Sequence, residues 1–515
     1  MDKTQLAVIG GGPAGASAAI EAARAGVEVN LIDENPMDFA MMGLDIPFLF
    51  GQRMTPALRD KGAMLQRVVS SSELLATAQD EGVHLLLGTY AWGSFRNQEN
   101  SIRLERPVLG LADGEHSWML EYDQLVLATG ARDLVLAFPG RNLVGVMGAN
   151  GAMLLMSRYQ GLSAGKIAVL GSGDLGLFTA TRALDHGLEV VGIVDVSPDV
   201  RGDPGLRAGL ENRGVPFYTS HTIKEARGYR EVESIVISRI DGGLQPVDGS
   251  DQMLECDTVC LAMGLVPSVE LPYLSGCDLS FRPELGGFVP DRDQDLRTSM
   301  ANVYVAGDTA GFREGMITDV AIATDQGKLA GITASESLGV IDKDRAAALR
   351  EGLAQSAYAP DKDSTGEYRL SWLTSLVGAG GLDVNVCECE EVTRGEVIHV
   401  TPPRYLGYEG GESGRKAMEA VLEEGDVDLD QLKRLTRAGM GFCQGRRCRE
   451  EIAMLVAHSK GMDVASIPLA SYRPPVRPLP LKIMWPHDEP EEVRKSWAYW
   501  FKMPKERIEE LEKHR

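Results

Sequence analysis

The feature that most constrains this chain is an apolar strand that breaks into a glycine turn and then a helix, and it occurs twice. Leu6-Ala7-Val8-Ile9 runs into Gly10-Gly11-Gly12-Pro13-Ala14-Gly15 and an Ala-rich amphipathic stretch to about Arg24. Gly10 permits the turn, Gly12 lets the backbone approach a pyrophosphate, and Gly15 lets the helix lie close on the strand. The helix N-terminus at Pro13 and Ala14 then faces the phosphate charge. A second strand, from Val27 to Ile32, ends in Asp33, where an acid accepts hydrogen bonds from a ribose; Glu34 is the near alternative.

The motif recurs as Lys166-Ile167-Ala168-Val169-Leu170, then Gly171-Ser172-Gly173-Asp174-Leu175-Gly176, a helix, and a strand from Val190 to Val194 ending in Asp195. An acid at 195 suits a free ribose 2'-hydroxyl and opposes a 2'-phosphate, which favours NAD over NADP. Asp174 inside the loop repels a pyrophosphate unless it turns away. NAD, another adenine nucleotide and an inherited but vacant fold therefore all stay open.

Two further segments bear on the first ligand. Leu125-Val126-Leu127-Ala128-Thr129-Gly130 resembles the strand and turn that close the FAD domain of two-dinucleotide flavoproteins. Thr298 and Val303-Tyr304-Val305-Ala306-Gly307-Asp308 resemble their second FAD motif. The resemblance implies that Asp308 hydrogen-bonds a ribityl chain and that the next helix, near Met316, points its positive end at the flavin. The second glycine loop lies between these segments, the nested order of the glutathione-reductase-like class. The expected fold is α/β, with two nested Rossmann-like domains plus a small C-terminal helical domain.

A formal charge of -22 argues against nucleic acid and anionic lipid as partners. No apolar run reaches the length of a membrane helix, and the first strand leaves no room for a leader, so a cytoplasmic protein is expected. In that compartment cysteines read as ligands before disulfides. Of the seven, Cys387-Glu388-Cys389 and Cys443-Gln444-Gly445-Arg446-Arg447-Cys448 form two late pairs. Four thiolates satisfy the two irons of a 2Fe-2S cluster, with Gly439, Gly441 and Gly445 allowing backbone amides near it. Structural zinc is the rival, although its pairs usually have two to four residues between them; two disulfides are the third reading. Cys256 and Cys260 are expected on one side of a strand as core residues, with Cys277 another buried thiol. No cysteine precedes Cys256, so the dithiol chemistry of disulfide reductases is not expected.

Residues 387–396, and Leu432-Lys433-Arg434-Leu435-Thr436-Arg437-Ala438-Gly439-Met440-Gly441 with Cys443 to Arg446, closely resemble a bacterioferritin-associated-ferredoxin-like domain. That domain belongs to a flavoprotein family comprising opine oxidase A subunits, the large flavoprotein subunit of hydrogen cyanide synthase, and alpha subunits of proline and hydroxyproline dehydrogenases. Gly264-Leu265-Val266-Pro267, Glu270-Leu271 and Arg473-Pro474-Pro475-Val476-Arg477-Pro478 are similar as well. The order implies an FAD-binding domain at 1–140 and 280–340, an inserted NAD(P)-binding-like domain at 141–279 and a connector at 341–380. The 2Fe-2S domain follows at 381–465 and a tail at 466–515.

Three stretches depart from the family. Met41-Met42-Gly43-Leu44-Asp45 and Gly51-Gln52-Arg53 replace a Pro-Gly-Gly-Gln loop. The interval between the cysteine pairs, Glu390 through Phe442, is long, with the excess near 402–416. The tail crowds Trp485, Trp497, Tyr499, Trp500 and Phe501 before a charged helix from Lys505 to Lys513.

The resemblance implies an FAD-dependent oxidoreductase passing electrons between FAD and a 2Fe-2S cluster, as the alpha subunit of a heteromeric dehydrogenase or oxidase. Its donor would be an amino acid, imino acid, opine or related secondary amine held by a D-amino-acid-oxidase-like beta subunit. It also allows a small ferredoxin-like subunit, and an FMN at the interface between chains. The alternatives are a self-sufficient NADH-dependent reductase and a scaffold for a catalytic partner.

Overall fold

The structure, a computed structural model, describes residues 2–37, 53–97, 104–353, 365–403 and 425–484, with four single positions beyond them. The loop at 41–45 with Gly51 and Gln52, the inserted stretch 404–416, the aromatic tail from Trp485 and the helix expected at 505–513 lie outside the described residues.

The first sheet runs in the spatial order His84–Leu87, Val29–Asp33, Asp2–Ile9, Ser117–Leu127, Val108–Ala112, Tyr90–Phe95. One edge of Ser117–Leu127 pairs in parallel with Asp2–Ile9. Its other edge takes the antiparallel Val108–Ala112 near the start and the parallel Val303–Val305 at the end. Leu6, Ala7 and Val8 are fully buried on both faces, as a covered parallel strand requires. The helix Pro13–Ala25 follows an extended Gly12, with Pro at its first position where a missing N–H costs nothing, and ends at Gly26 in the left-handed region. Its small residues let the helix Ala321–Ser337 come close, with Gly327 and Gly331 against the Ala14 and Ala18 carbonyls.

The second sheet is wholly parallel, in the order Phe217–Thr219, Glu189–Asp195, Lys166–Leu170, Thr258–Leu261, Val146–Gly148. The antiparallel sheet His221–Arg227, Ser234–Arg239, Gln252–Glu255 joins it. Val303–Val305 returns to the first sheet only after this unit, so the nested order is as expected. Whereas the sequence suggests an inserted unit at 141–279, the chain crosses between the sheets on the antiparallel pair Ala131–Asp133 and Leu265–Pro267.

The helix Thr365–Gly380 leads into the cysteine domain. A short hairpin, Asn385–Cys387 with Val392–Thr393, precedes the helix Arg394–Ile398, which Thr393 and Glu396 cap reciprocally. The helices Leu429–Thr436 and Arg449–Lys460 complete its core.

The expectation for Cys256 and Cys260 needs one correction. Both are buried, but Cys256 precedes the strand Thr258–Leu261, and the two thiols enter different core clusters. Burial pushes Cys256 up to about 12 and Cys260 higher still, so both stay protonated packing groups. Cys277 is a buried thiol bonded to Thr298 Oγ1 at 3.4 Å.

Candidate functional site

The first glycine turn lines a cleft of about 480 Å³. Gly10 has a φ of 111°, and a side chain there would overlap the Ala128 carbonyl; one on Gly15 would overlap the Gly10 carbonyl. Gly12 faces open space, with nothing within 4 Å of where a side chain would begin. Pro13 and Ala14 open the helix behind it. The geometry is that of a backbone cradle with the helix N-terminus aimed into the cleft.

Asp33 lines the cleft, and its carboxylate is also engaged with the loop. Its Oδ2 accepts the Gly11 N–H at 2.5 Å, while Oδ1 accepts the Asn35 backbone N–H at 2.7 Å and side-chain amide at 2.9 Å. These three bonds hold the loop. Glu34, the near alternative, lines the cleft and pairs with Arg477 from the tail segment.

Ala128, Thr129 and Gly130 form one wall, with Thr129 Oγ1 donating to the Ser268 carbonyl at 2.9 Å. Asp308 also lines the cleft, on the short turn Gly307–Ala310, where the Gly307 N–H is held by Gln326 Oε1 at 2.8 Å. Burial pushes Asp308 up to about 6. A partly buried carboxylate facing a cleft is an acceptor for hydroxyl donors, and with the cradle and Glu34 it fits FAD. Met316 lies elsewhere: it is buried in the turn Glu314–Ile317, and the following helix begins only at Ala321.

The same cleft is also lined by Cys443, Arg446 and Arg447. Cys443 belongs to a buried group in which the Cys387 thiol meets Cys448 and the Cys389 thiol meets Cys443. All four line one small cavity. The Gly439 N–H points at Cys387 Sγ at 3.4 Å, and a side chain on Gly441 would collide with Cys389. Cys389 donating to it, with Arg447 and Arg446 beside it, holds Cys443 below the usual thiol range. Among the described residues no three metal-binding side chains converge on one point; the thiols stand as two pairs.

In the second fold Gly171 has a φ of 119° and Gly176 closes on its carbonyl as Gly15 does on Gly10; Gly173 precedes the helix Asp174–Asp185. Asp195 is 1% exposed, and both its oxygens are taken within the protein, by the Ser172 and Ser197 N–H groups and the Tyr368 hydroxyl. The ribose role expected of it is not met.

Sequence reasoning missed the charged groups that join the dinucleotide body to the cysteine domain. Arg132 lines the cleft and pairs with Glu270 and with Glu450, the latter at 2.7 Å, beside the last cysteine. Arg141 reaches Glu451 and Glu388, each at 3.1 Å, and the Val386 carbonyl at 3.3 Å. Arg394 donates to the carbonyls of Leu376, Gly381 and Ala137. The one available signal was the density of charge around Cys448 in a segment that otherwise reads as buried.

This arrangement defines a two-dinucleotide-fold oxidoreductase with a cysteine centre opening on its first cofactor cleft. Residues 4–327 match the family described as pyridine nucleotide-disulphide oxidoreductase, and the chain belongs to that family. Residues 412–485 match the sarcosine oxidase A3 domain. The chain is 27% identical to the A subunit of opine oxidase from Agrobacterium tumefaciens, covering 93% of this chain and 91% of that protein. It is 26% identical to hydrogen cyanide synthase subunit HcnB of Pseudomonas aeruginosa, covering 86% and 90%. These are the relatives the cysteine motifs imply. L-proline dehydrogenase from P. horikoshii shares the fold, with a TM-score of 0.62 at 23% identity over 94% of this chain and 80% of that one. Among the described residues no helix is long and apolar enough to cross a membrane.

Proposed function

We propose that the chain is a cytoplasmic electron-transfer flavoprotein subunit of a heteromeric dehydrogenase or oxidase acting on an amino acid, imino acid, opine or related secondary amine. The observation that carries this reading is that one cleft is lined by the glycine cradle, by Asp308 and by Cys443. FAD accepts two electrons as a hydride and a 2Fe-2S cluster carries one at a time, so the pair converts between the two modes.

This chain's own residues have distinct tasks. Gly10, Gly12 and Gly15 shape the phosphate cradle, Glu34 accepts from the ribose, and Asp308 accepts from the ribityl hydroxyls. Cys387, Cys389, Cys443 and Cys448, which line one small cavity, would hold the cluster. The relatives named as subunits of larger enzymes support a partner that binds the amine, as a D-amino-acid-oxidase-like chain would. The same reading leaves room for an interfacial FMN and a small ferredoxin-like subunit.

The test is an anaerobic visible and electron-paramagnetic-resonance titration of the purified chain, alone with NADH, then with its co-purifying partner and candidate amines. Flavin bleaching and a cluster signal only with partner and amine is the expected result. Full reduction by NADH alone overturns the subunit reading, and zinc in place of iron overturns the electron-transfer scheme.

A further inference from the structure

The two glycine loops are near copies, so the second can be read against the first residue by residue. In the first fold Asp33 takes the Gly11 N–H at 2.5 Å and the Asn35 N–H at 2.7 Å; in the second Asp195 takes the Ser172 N–H at 2.5 Å and the Ser197 N–H at 2.7 Å. Both aspartates hold their own loop. The acid left for a ribose is the next residue, Glu34 in the first fold. In the second that place belongs to Val196, buried in the core.

The phosphate side differs as well. Gly12 faces open space, whereas the corresponding Gly173 is covered by the chain itself. The Gly202 N–H bonds the Ser172 carbonyl at 2.8 Å, and a side chain on Gly202 would stand 2.8 Å from the backbone of Gly173 and Asp174. Its neighbours are tied down too: the Arg201 N–H goes to Ser172 Oγ at 3.2 Å and the Asp203 N–H to Asp174 Oδ1 at 2.7 Å. The segment therefore lies on the helix N-terminus that a pyrophosphate would approach. Beside it the Tyr368 hydroxyl donates to Asp195 Oδ2 at 2.9 Å, and the Arg201 guanidinium lies 4.2 Å over the Tyr368 ring.

Tyr368 belongs to the helix Thr365–Gly380, which leads to the cysteine domain. Trp372 and Leu376 of this helix enter the core of the second fold, and Leu373 enters that of the cysteine domain. Ser375 meets Thr222 at 3.0 Å, and Arg369 donates to the Gly286 carbonyl at 2.7 Å.

We infer that the second dinucleotide fold binds no nucleotide and serves instead as the socket that anchors the cysteine domain through Tyr368. A nucleotide would have to displace residues 201–203 and break the Tyr368–Asp195 bond, with no carboxylate at position 196 to receive its ribose. Nicotinamide is then excluded as an electron donor at this fold.

Equilibrium dialysis and amide hydrogen exchange of the FAD-loaded chain with NADH, NADPH or ATP, each at about 1 mM, test this. The expected result is no saturable binding and unchanged exchange at 171–176 and 195–203. One equivalent of any of the three bound, with new protection there, overturns the inference. The variant Tyr368→Phe keeps the ring and loses the bond to a carboxylate. Opening of 365–380 should become about tenfold faster with FAD content unchanged; unchanged exchange overturns the socket. Nucleotide binding without flavin bleaching would defeat this inference and leave the amine-driven reading standing, so the two fail separately.

Discussion

Asp308 offers a test in which stability and cofactor binding move in opposite directions. Burial lifts its carboxyl from an ordinary 3.8 to about 6 in the flavin-free protein. A rise of about two units at about 1.4 kcal/mol each sets an upper bound of about 3 kcal/mol on the cost of the charge at pH 7. Because the folded value lies above the unfolded one, the folded protein keeps a proton that the unfolded chain has released between these values. Flavin-free stability is therefore present below pH 4 and lost as pH rises through 6. Asp308→Asn removes the charge and keeps the shape. In urea unfolding the flavin-free variant should exceed the parent by up to about 3 kcal/mol at pH 8, with no gap at pH 4. Asp133, pushed up to about 7 by burial, titrates in the same window, so the difference between the two proteins is the quantity to read. FAD affinity should move the other way. Losing a charged acceptor costs about 1.5–3 kcal/mol, roughly ten- to a hundredfold at pH 8, and the deficit should shrink below pH 6 where the parent carboxyl is protonated. A variant that binds FAD as tightly as the parent at pH 8, or a stability gap equal at pH 4 and pH 8, would refute the reasoning.

Three other outcomes follow from the same structure. Gly10→Ala, at a φ of 111° and against the Ala128 carbonyl, should abolish FAD retention, read as the flavin-to-protein ratio after gel filtration. Glu451→Ala leaves the buried Arg141 short of a partner and the Ala137 N–H without an acceptor. Unfolding should register a loss of about 3–5 kcal/mol, and a loss under about 1 would show the network to be dispensable. Cys389→Ser should lower iron and acid-labile sulfide while leaving FAD in place, since no cysteine contributes to the glycine cradle; full iron content would remove Cys389 from the ligand set.

What the sequence made legible was whatever the backbone dictates locally. A strand, a turn needing a positive φ at Gly10 or Gly171, and a helix starting at once leave few foldings open, and both loops are where they were expected. The acids after the second strands are harder to read for the opposite reason. Asp33 and Asp195 each accept hydrogen bonds from their own loop, and only the bonds to Gly11 and Ser172 reveal it. Tyr368 is illegible in sequence because it meets Asp195 across 173 positions. Met316 is expected on a helix because the resemblance supplies one, whereas the chain first makes the separate turn Glu314–Ile317.

The distribution of charge explains how a chain of net charge -22 could host two anionic groups side by side. At the glycine end the compensation is backbone: the free helix N-terminus at Gly12 and Pro13 supplies partial positive charge without a cation. At the cysteine end it is side chain, for residues 432–449 carry six Lys or Arg and no Asp or Glu. Arg446 and Arg447 stand beside Cys443, and both face the cleft that Asp308 faces. Guanidiniums so placed lower the cost of thiolate charge in a buried site, but they need fixed carboxylates behind them to keep their geometry. Glu450 and Glu451 act in this way on Arg132 and Arg141, which belong to the dinucleotide body. The ion pairs that stabilise the cysteine domain are thus the same ones that fix its distance from the cleft, so weakening them should disturb both together.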